Sequence, residues 1–223
     1  MNIRNFLKHY APQAVLLFLA LCTAFISFSQ GNISVAPTRM NVLYIGVDNP
    51  LSVAASNGDD DEVSVSLSGG EGSVSKISTG LYNVRVASVT DNLSVNVFVN
   101  KVKAGSSSFR VRNLPVPIPS IGGMSSGSNM TADKFRTQPG VSVHLKDFPF
   151  DVKYEVLSFT FTIDDGNDRL LAADCKGALF SSEAKAYIDQ YAKAGSIVTL
   201  DAIRVKDLGG RELNLPALVY YIK

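Results

Sequence analysis

Residues 40–53 read "MNVLYIGVDNPLSV", two short apolar runs separated by Gly46-Val47-Asp48-Asn49-Pro50. Pro50 cannot donate to a β-ladder and holds Asn49 in extended conformations, while Gly46 and the Asp48-Asn49 pair suit turn geometry. What would otherwise be one strand is broken in two. The second half, Leu51 to Ala55, is free to start a new pairing.

The surrounding chain has the same character. From Ile33 onward Val, Ile, Ser and Thr alternate with period two, and turn residues recur about every ten positions, which is the spacing of a β-sandwich. Strands are expected at Ile33 to Pro37, Asn41 to Tyr44, Leu51 to Ala55, Val63 to Ser68, Val74 to Ser78, Leu81 to Val86, Leu93 to Val102 and Ser107 to Arg112. Val63, Val65 and Leu67 share one face, as do Tyr82, Val84 and Val86, and Val95, Val97 and Val99. Rows of this kind face one another across a two-sheet core. Residues 30–113 therefore read as an Ig-like β-sandwich in which the broken strand changes sheets.

A change of composition follows. Residues 113–131, "NLPVPIPSIGGMSSGSNMT", alternate Pro115, Pro117 and Pro119 with other residues before a Gly/Ser stretch. Dense proline favours a stiff extended segment, and Gly122-Gly123 with the serines loosens its far end. Residues 114–131 read as a Pro/Gly/Ser-rich linker, with a long surface loop as the alternative. Beyond it, residues 132–223 form a second β-rich domain: strands at Val141 to Leu145, Val152 to Ile163, Arg169 to Ala173 and Ser196 to Val205, then a closing hairpin from Glu212 to Ile222. One helix interrupts them, over 182–194. Ser181 or Ser182 can cap it, Glu183 and Lys193 suit its dipole, and Gly195 ends it. Ala184, Tyr187, Ile188, Tyr191 and Ala192 fall on one stripe, which must pack on a sheet.

At the other end of the sequence, Arg4 and Lys8 precede an uncharged run from Ala14 to Phe28. Residues 1–29 read as a signal peptide cut near Gln30, which places the protein in the periplasm; an uncleaved anchor is the alternative. After cleavage Cys175 is the last cysteine and His144 the last histidine, so internal disulfides and multi-His or multi-Cys metal sites have no parts. The usual Ser-His and Cys-His nucleophiles are equally short of parts. Formal net charge is +1, with both signs spread along the chain, which removes the electrostatic footprint of a nucleic-acid binder. A non-enzymatic protein with no cofactor and no metal is expected.

The remaining polar clusters read as surface. Asp59-Asp60-Asp61-Glu62 carries carboxylates that could coordinate calcium but is taken as a solvated turn, and Asp164 to Asp168, whose glycine and carboxylates lack the spacing of an EF-hand loop, is taken as a turn as well. Asp147 and Asp151 flank Phe148-Pro149-Phe150, where the two rings are expected to plug a core while the charges stay wet. His144 points to the more solvated face, and Cys175 is a tolerated free thiol. Without tryptophan, a glycan platform would rest on tyrosines such as Tyr220 and Tyr221.

Several stretches together resemble the GldM/PorM family of gliding motility and type IX secretion. "SVAPTRMNVLYIGVDNPLSVAASN" is similar to the entry of its third periplasmic domain, and "FRVRNLPVPIPSIGG" to its domain linker. "GVSVHLKDFPFDVKYEVLSFTFTI" and "GSIVTLDAIRVKDLGGRELNLPALVYYIK" resemble its C-terminal domain. The resemblance implies a protein-binding or scaffolding role at the distal end of a periplasmic rod, facing outer-membrane-associated secretion-ring components, and side-by-side pairing into a homodimer. Family members begin with a transmembrane helix and further periplasmic domains, whereas a signal peptide is read in their place here. On the same basis the Asp147 to Asp151 segment, with Asp147, Phe148, Phe150 and Asp151, and the Asp207 to Glu212 turn, with Asp207, Arg211 and Glu212, are taken as protein-binding positions. The competing function is a stand-alone exported adhesin or glycan-binding module.

Overall fold

The computed structural model of the chain describes residues 33–37, 41–55, 62–167 and 169–223. The signal-peptide reading of residues 1–29 lies outside them, as do Asp59, Asp60, Asp61 and Asp168.

Eight strands build the first domain: β1 (Ile33–Pro37), β2 (Val42–Tyr44), β3 (Asn49–Ala55), β4 (Val63–Ser68), β5 (Gly72–Ser78), β6 (Leu81–Val86), β7 (Thr90–Val99) and β8 (Val102–Arg112). They form two four-stranded sheets, β1-β3-β6-β5 and β2-β8-β7-β4. This is the strand order of an Ig-like sandwich, with β2 running parallel to β8 at the edge of the second sheet. The turn at Gly46 to Asn49 carries the chain from β2 in one sheet to β3 in the other.

The cause of the switch is Asn49, whose side chain is buried. Its amide nitrogen donates to the carbonyls of Tyr44 (3.0 Å), Val47 (3.1 Å) and Val84 (3.0 Å), and its side-chain oxygen accepts from the Tyr44 N–H at 2.8 Å. One side chain thus satisfies the polar backbone that the broken strand leaves unpaired. Pro50 lies past the last residue that β1 pairs, since Leu51 is matched with Pro37. Between the sheets lie Leu43, Leu51, Val84, Val86, Leu93, Val95, Phe109 and Val111, all buried. Each such side chain stabilises the fold by roughly 1.5–3 kcal/mol relative to exposure. Val63, Val65 and Leu67 are only half-buried, because β4 is an edge.

The second domain holds β9 (Ile118–Ser120), β10 (Ser128–Met130), helix α1 (Ala132–Arg136), β11 (Ser142–His144), β12 (Glu155–Asp164), β13 (Leu170–Lys176), helix α2 (Ser182–Tyr191), β14 (Ile197–Lys206), β15 (Glu212–Asn214) and β16 (Leu218–Ile222). Its main sheet has the order β10-β16-β14-β12-β13, with β15 paired to β14, and β9 pairs β11 in a separate ribbon. Phe135, Phe159, Phe161, Phe180 and Tyr220 make an aromatic core beneath α1 and α2.

Most of residues 114–131, expected as linker, belongs to this domain. Pro119 sits in the two-stranded ribbon opposite Val143, where an edge tolerates a missing N–H. Ile121 and Met130 are buried, and Ser128–Met130 adds a parallel strand to β16. Tyr220 is fully buried and fastens the segment: its hydroxyl accepts from Ile121 N–H (2.9 Å) and donates to the Met124 carbonyl (2.7 Å). Burial pushes that phenol's pKa up.

The longer helix forms where the apolar stripe places it, capped by Ser181 Oγ accepting from Ala184 N–H at 3.2 Å. It ends at Tyr191 instead of 194, because the Ser196 hydroxyl takes the Tyr191 carbonyl (2.9 Å) and accepts from Lys193 N–H (3.2 Å). The short helix α1 was not anticipated.

Candidate functional site: the joint between the domains

The positions singled out in the second domain converge on the first. Phe148 and Phe150 are half-buried, and what covers them is Tyr44 at the end of β2. The Tyr44 ring meets Phe148 edge-on at 5.0 Å between centroids and Phe150 at 5.9 Å, while the two phenylalanines lie 5.5 Å apart. The rings were expected to plug a core; they are instead half-buried and pack with Tyr44 across the domain boundary. Asp147, just before them, takes a left-handed backbone conformation (φ 53°). Asp147 and Asp151 stay exposed.

A second contact is backbone on backbone. Gly46 (φ 84°) lies so near the Asp207 to Arg211 turn that a Cβ built on it would stand 2.5 Å from the Gly209 nitrogen. No other residue fits there without movement.

The third contact captures the connection itself. Asp207, whose side chain is almost wholly buried, accepts from Arg211 twice, from its N–H (2.9 Å) and from Nε (3.1 Å). Arg211 then reaches back with a terminal guanidinium nitrogen to the Leu114 carbonyl at 2.6 Å. Tyr154 donates its hydroxyl to the next carbonyl, Pro115, at 2.6 Å. Burial, reinforced by the Asp207 carboxylate and opposed by Arg211, pushes the Tyr154 phenol up to about 12. The effective connection between domains is therefore a few residues around Leu114, itself buried, with successive carbonyls pinned by the second domain.

Of the seven sequence-selected positions, Phe148, Phe150, Asp207 and Arg211 meet at the joint. Asp147 and Asp151 rim it. Glu212 turns away to pair with Arg204 (2.6 Å) on the adjoining strand. Tyr44, Gly46 and Tyr154 complete the joint and were not anticipated as site residues; the only sequence signal was Gly46 in a turn followed by a proline.

Elsewhere, His144 is exposed on β11, and Cys175 is buried, its sulfur accepting from Ser181 N–H at 3.3 Å. Tyr220 lies in the core, which leaves Tyr221 as the exposed member of that pair. In the Asp164 to Asp168 loop, Asp164 and Asp165 cap their own turn through Gly166 and Asn167 N–H, both at 2.9 Å. Among the described residues no three His, Cys, Asp or Glu side chains gather as a metal ion would need, and no helix is long and apolar enough to cross a membrane.

Fold and joint together define a tandem-domain β protein, an Ig-like sandwich fastened directly to a second β-rich domain. The chain belongs to the GldM family: residues 32–112 match the model of the GldM third domain and residues 115–223 that of the GldM C-terminal domain. The two matches part at the residues that Arg211 and Tyr154 hold. A search of curated proteins gives no match. Among solved structures the chain is loosely similar to the Escherichia coli adhesin FdeC (13% identity, 88% of this chain and 65% of that one, TM-score 0.31). Similarly loose are the likenesses to domains 6-7 of the surface layer protein SbsC (10%, 86% and 98%, 0.29) and to the Clostridium thermocellum CbhA fibronectin(III)-like modules (14%, 86% and 94%, 0.27). The chain thus spans just under two thirds of the FdeC structure.

Proposed function

We propose that the protein is a non-enzymatic periplasmic binding or scaffolding module of gliding motility and type IX secretion, working at the distal end of a GldM-like assembly. The observation that carries the reading is the joint: two family domains in tandem are fixed to each other by packing and by captured backbone, which is what a scaffold needs and a catalyst does not. The partners are outer-membrane-associated secretion-ring components. Asp147 and Asp151, left exposed beside the aromatic pair, are the polar groups offered to them, and Glu212 extends the same end of the sheet. A homodimer is part of the reading, and light scattering at roughly ten micromolar or above, a common range for interface affinities, tests it. A monomer there removes the dimer.

The deciding experiment is affinity purification of tagged residues 30–223 from their own cell envelope, with captured proteins identified by mass spectrometry. Recovery of ring components supports the proposal. Their absence, with surface labelling of the protein on intact cells, assigns it instead to adhesion.

A further inference from the structure

Helices cover the main sheet of the second domain on one face. Phe135, Ala184 and Ile188 from α1 and α2 share a buried core with Phe161, Val198 and Tyr220 of the strands. An antiparallel sheet with one wet face alternates apolar residues inward and polar residues outward. The outward set here departs from that rule. Strand register aligns Leu170, Asp164, Ile197 and Tyr221 in one row across β13, β12, β14 and β16, and its apolar members Leu170, Ile197 and Tyr221 are 72%, 37% and 45% exposed. The next row, Ala172, Thr162, Thr199 and Val219, carries no charge. Apolar side chains presented together inside a polar rim mark an interaction surface.

The third row is acidic, with Asp174 and Asp201 on either side of Thr160. β14 bulges there, Ala202 being left-handed (φ 46°), and Asp201 and Ala202 are both exposed. Asp174 accepts from the Thr160 hydroxyl at 3.1 Å and Asp164 from Gly166 N–H at 2.9 Å. Among the described residues none of the three carboxylates has an ion-pair partner. The cations of this face stand apart: Lys176 and Arg204 share the following row with Ser158, where Arg204 is held by Glu212, and Lys223 lies beyond Tyr221. β14 begins in the apolar row and ends at the joint, a separation of roughly 30 Å at about 3.3 Å per residue. The surface is therefore open while the two domains are joined.

We propose that this open face docks a basic segment of another protein, its apolar side chains laid over Leu170, Ile197 and Tyr221 and its lysines or arginines reaching Asp164, Asp174 and Asp201. Charge selects the occupant. A second copy of the face does not suit it: a two-fold axis along β12 would set Asp174 of each copy against Asp201 of the other, and an axis across the strands through Thr162 would lay each apolar row on the other copy's aspartates. Like charges so placed, or carboxylates buried against apolar groups, cost affinity. Nucleic acid and anionic lipid meet the same repulsion. A basic segment instead pairs the three carboxylates, and Tyr221 supplies the aromatic anchor that interfaces favour. The inference goes beyond the proposed function and does not depend on the system in which the protein works, so its failure leaves that reading standing.

The test uses residues 30–223 and a fluorescent, blocked peptide, Lys-Leu-Arg-Val-Lys-Leu-Arg, followed by anisotropy, with amide shifts of the labelled protein read by NMR. Saturable binding that weakens with salt is expected, with shift changes concentrated on residues 160–174, 197–201 and 219–221. Removing the apolar cover, Leu170→Ser with Ile197→Ser, should weaken binding about tenfold. Exchanging the charges, Asp174→Lys with Asp201→Lys, should cost roughly fivefold or more and transfer the preference to the same peptide with glutamate in place of every lysine and arginine, a reversal that misfolding cannot produce. Absence of binding, shift changes centred elsewhere, or binding indifferent to both pairs of substitutions overturns the proposal. So does self-association abolished by Leu170→Ser with Ile197→Ser, which would give the face to a second copy.

Discussion

Gly46 and Gly209 touch backbone to backbone across the domain boundary, and the φ of Gly46, 84°, lies where an L-residue is strained. Gly46→Ala therefore meets two penalties at once, the left-handed backbone and a Cβ that stands 2.8 Å from the Leu208 carbonyl carbon as well as against Gly209. A loss of about 1–3 kcal/mol in urea unfolding is expected, with an increased radius of gyration by X-ray scattering as the domains part. Gly209→Ala should be milder, because Gly209 is not in the left-handed region and its built Cβ meets side-chain atoms, Ile45 Cγ2 at 3.1 Å and Asp207 Oδ1 at 3.2 Å, instead of backbone.

The aromatic contact should show as coupling between domains. In a double-mutant cycle, Tyr44→Ala and Phe148→Ala are expected to interact by about 0.5–1.5 kcal/mol, the range of edge-on aromatic pairs. The cycle is measured by denaturant unfolding of the two-domain chain. Additive effects would show that the rings do not bind the domains together.

Asn49 gives a sharper prediction within the first domain. Asn49→Ala leaves the half-buried Tyr44 N–H and up to three carbonyls without their partner, and should cost about 3 kcal/mol, lowering the denaturation midpoint without changing its slope. Asn49→Asp should be worse at neutral pH, where a carboxylate would face carbonyls that need a donor. It should recover partly in acid, where the protonated carboxyl can donate.

Tyr154 sets a pH dependence. Its phenol is held at about 12 in the folded protein against 10.0 for the free group, so the folded state favours the protonated form. The stability it contributes is fully present below pH 10 and is lost as pH rises through 12. Spectrophotometric titration of the native protein should show a late-ionising phenol that Tyr154→Phe removes. Unchanged late ionisation in that variant would place the shift on another tyrosine.

How much of this was legible in the sequence depended on the range of the interaction. Alternation of Val63, Val65 and Leu67, or of Tyr82, Val84 and Val86, is a local signal, and the strands form where it falls. Gly46 to Pro50 announced the change of sheet because each residue there has a restricted backbone. It could not announce Asn49 as the hub, since three of its bonds are local but the one to Val84 is not. The prolines at 115, 117 and 119 look like a linker, because proline density says nothing about a ribbon edge that accepts Pro119. Helix α1 is too short for its period to emerge. Phe148, Phe150, Asp207 and Arg211 were legible as positions but not as a joint: Tyr44 and Phe148 meet only in three dimensions, and neither stands in a pattern that needs the other.

The bond between Ile121 and Tyr220 spans 99 residues of chain, and it bears on the order in which the domains are expected to form. A sheet whose first added strand is held by its last cannot close by stages, and long-range pairings of this kind are slow to form. The sandwich, whose β2 is matched to β8 over a shorter loop, has no need to wait. Phe148, Phe150 and the Gly209 turn reach their places only once the second sheet is laid down. The expected order in refolding is therefore sandwich first and second domain later, so that Tyr44 and Gly46 are in place before Phe148 and the Gly209 turn reach them.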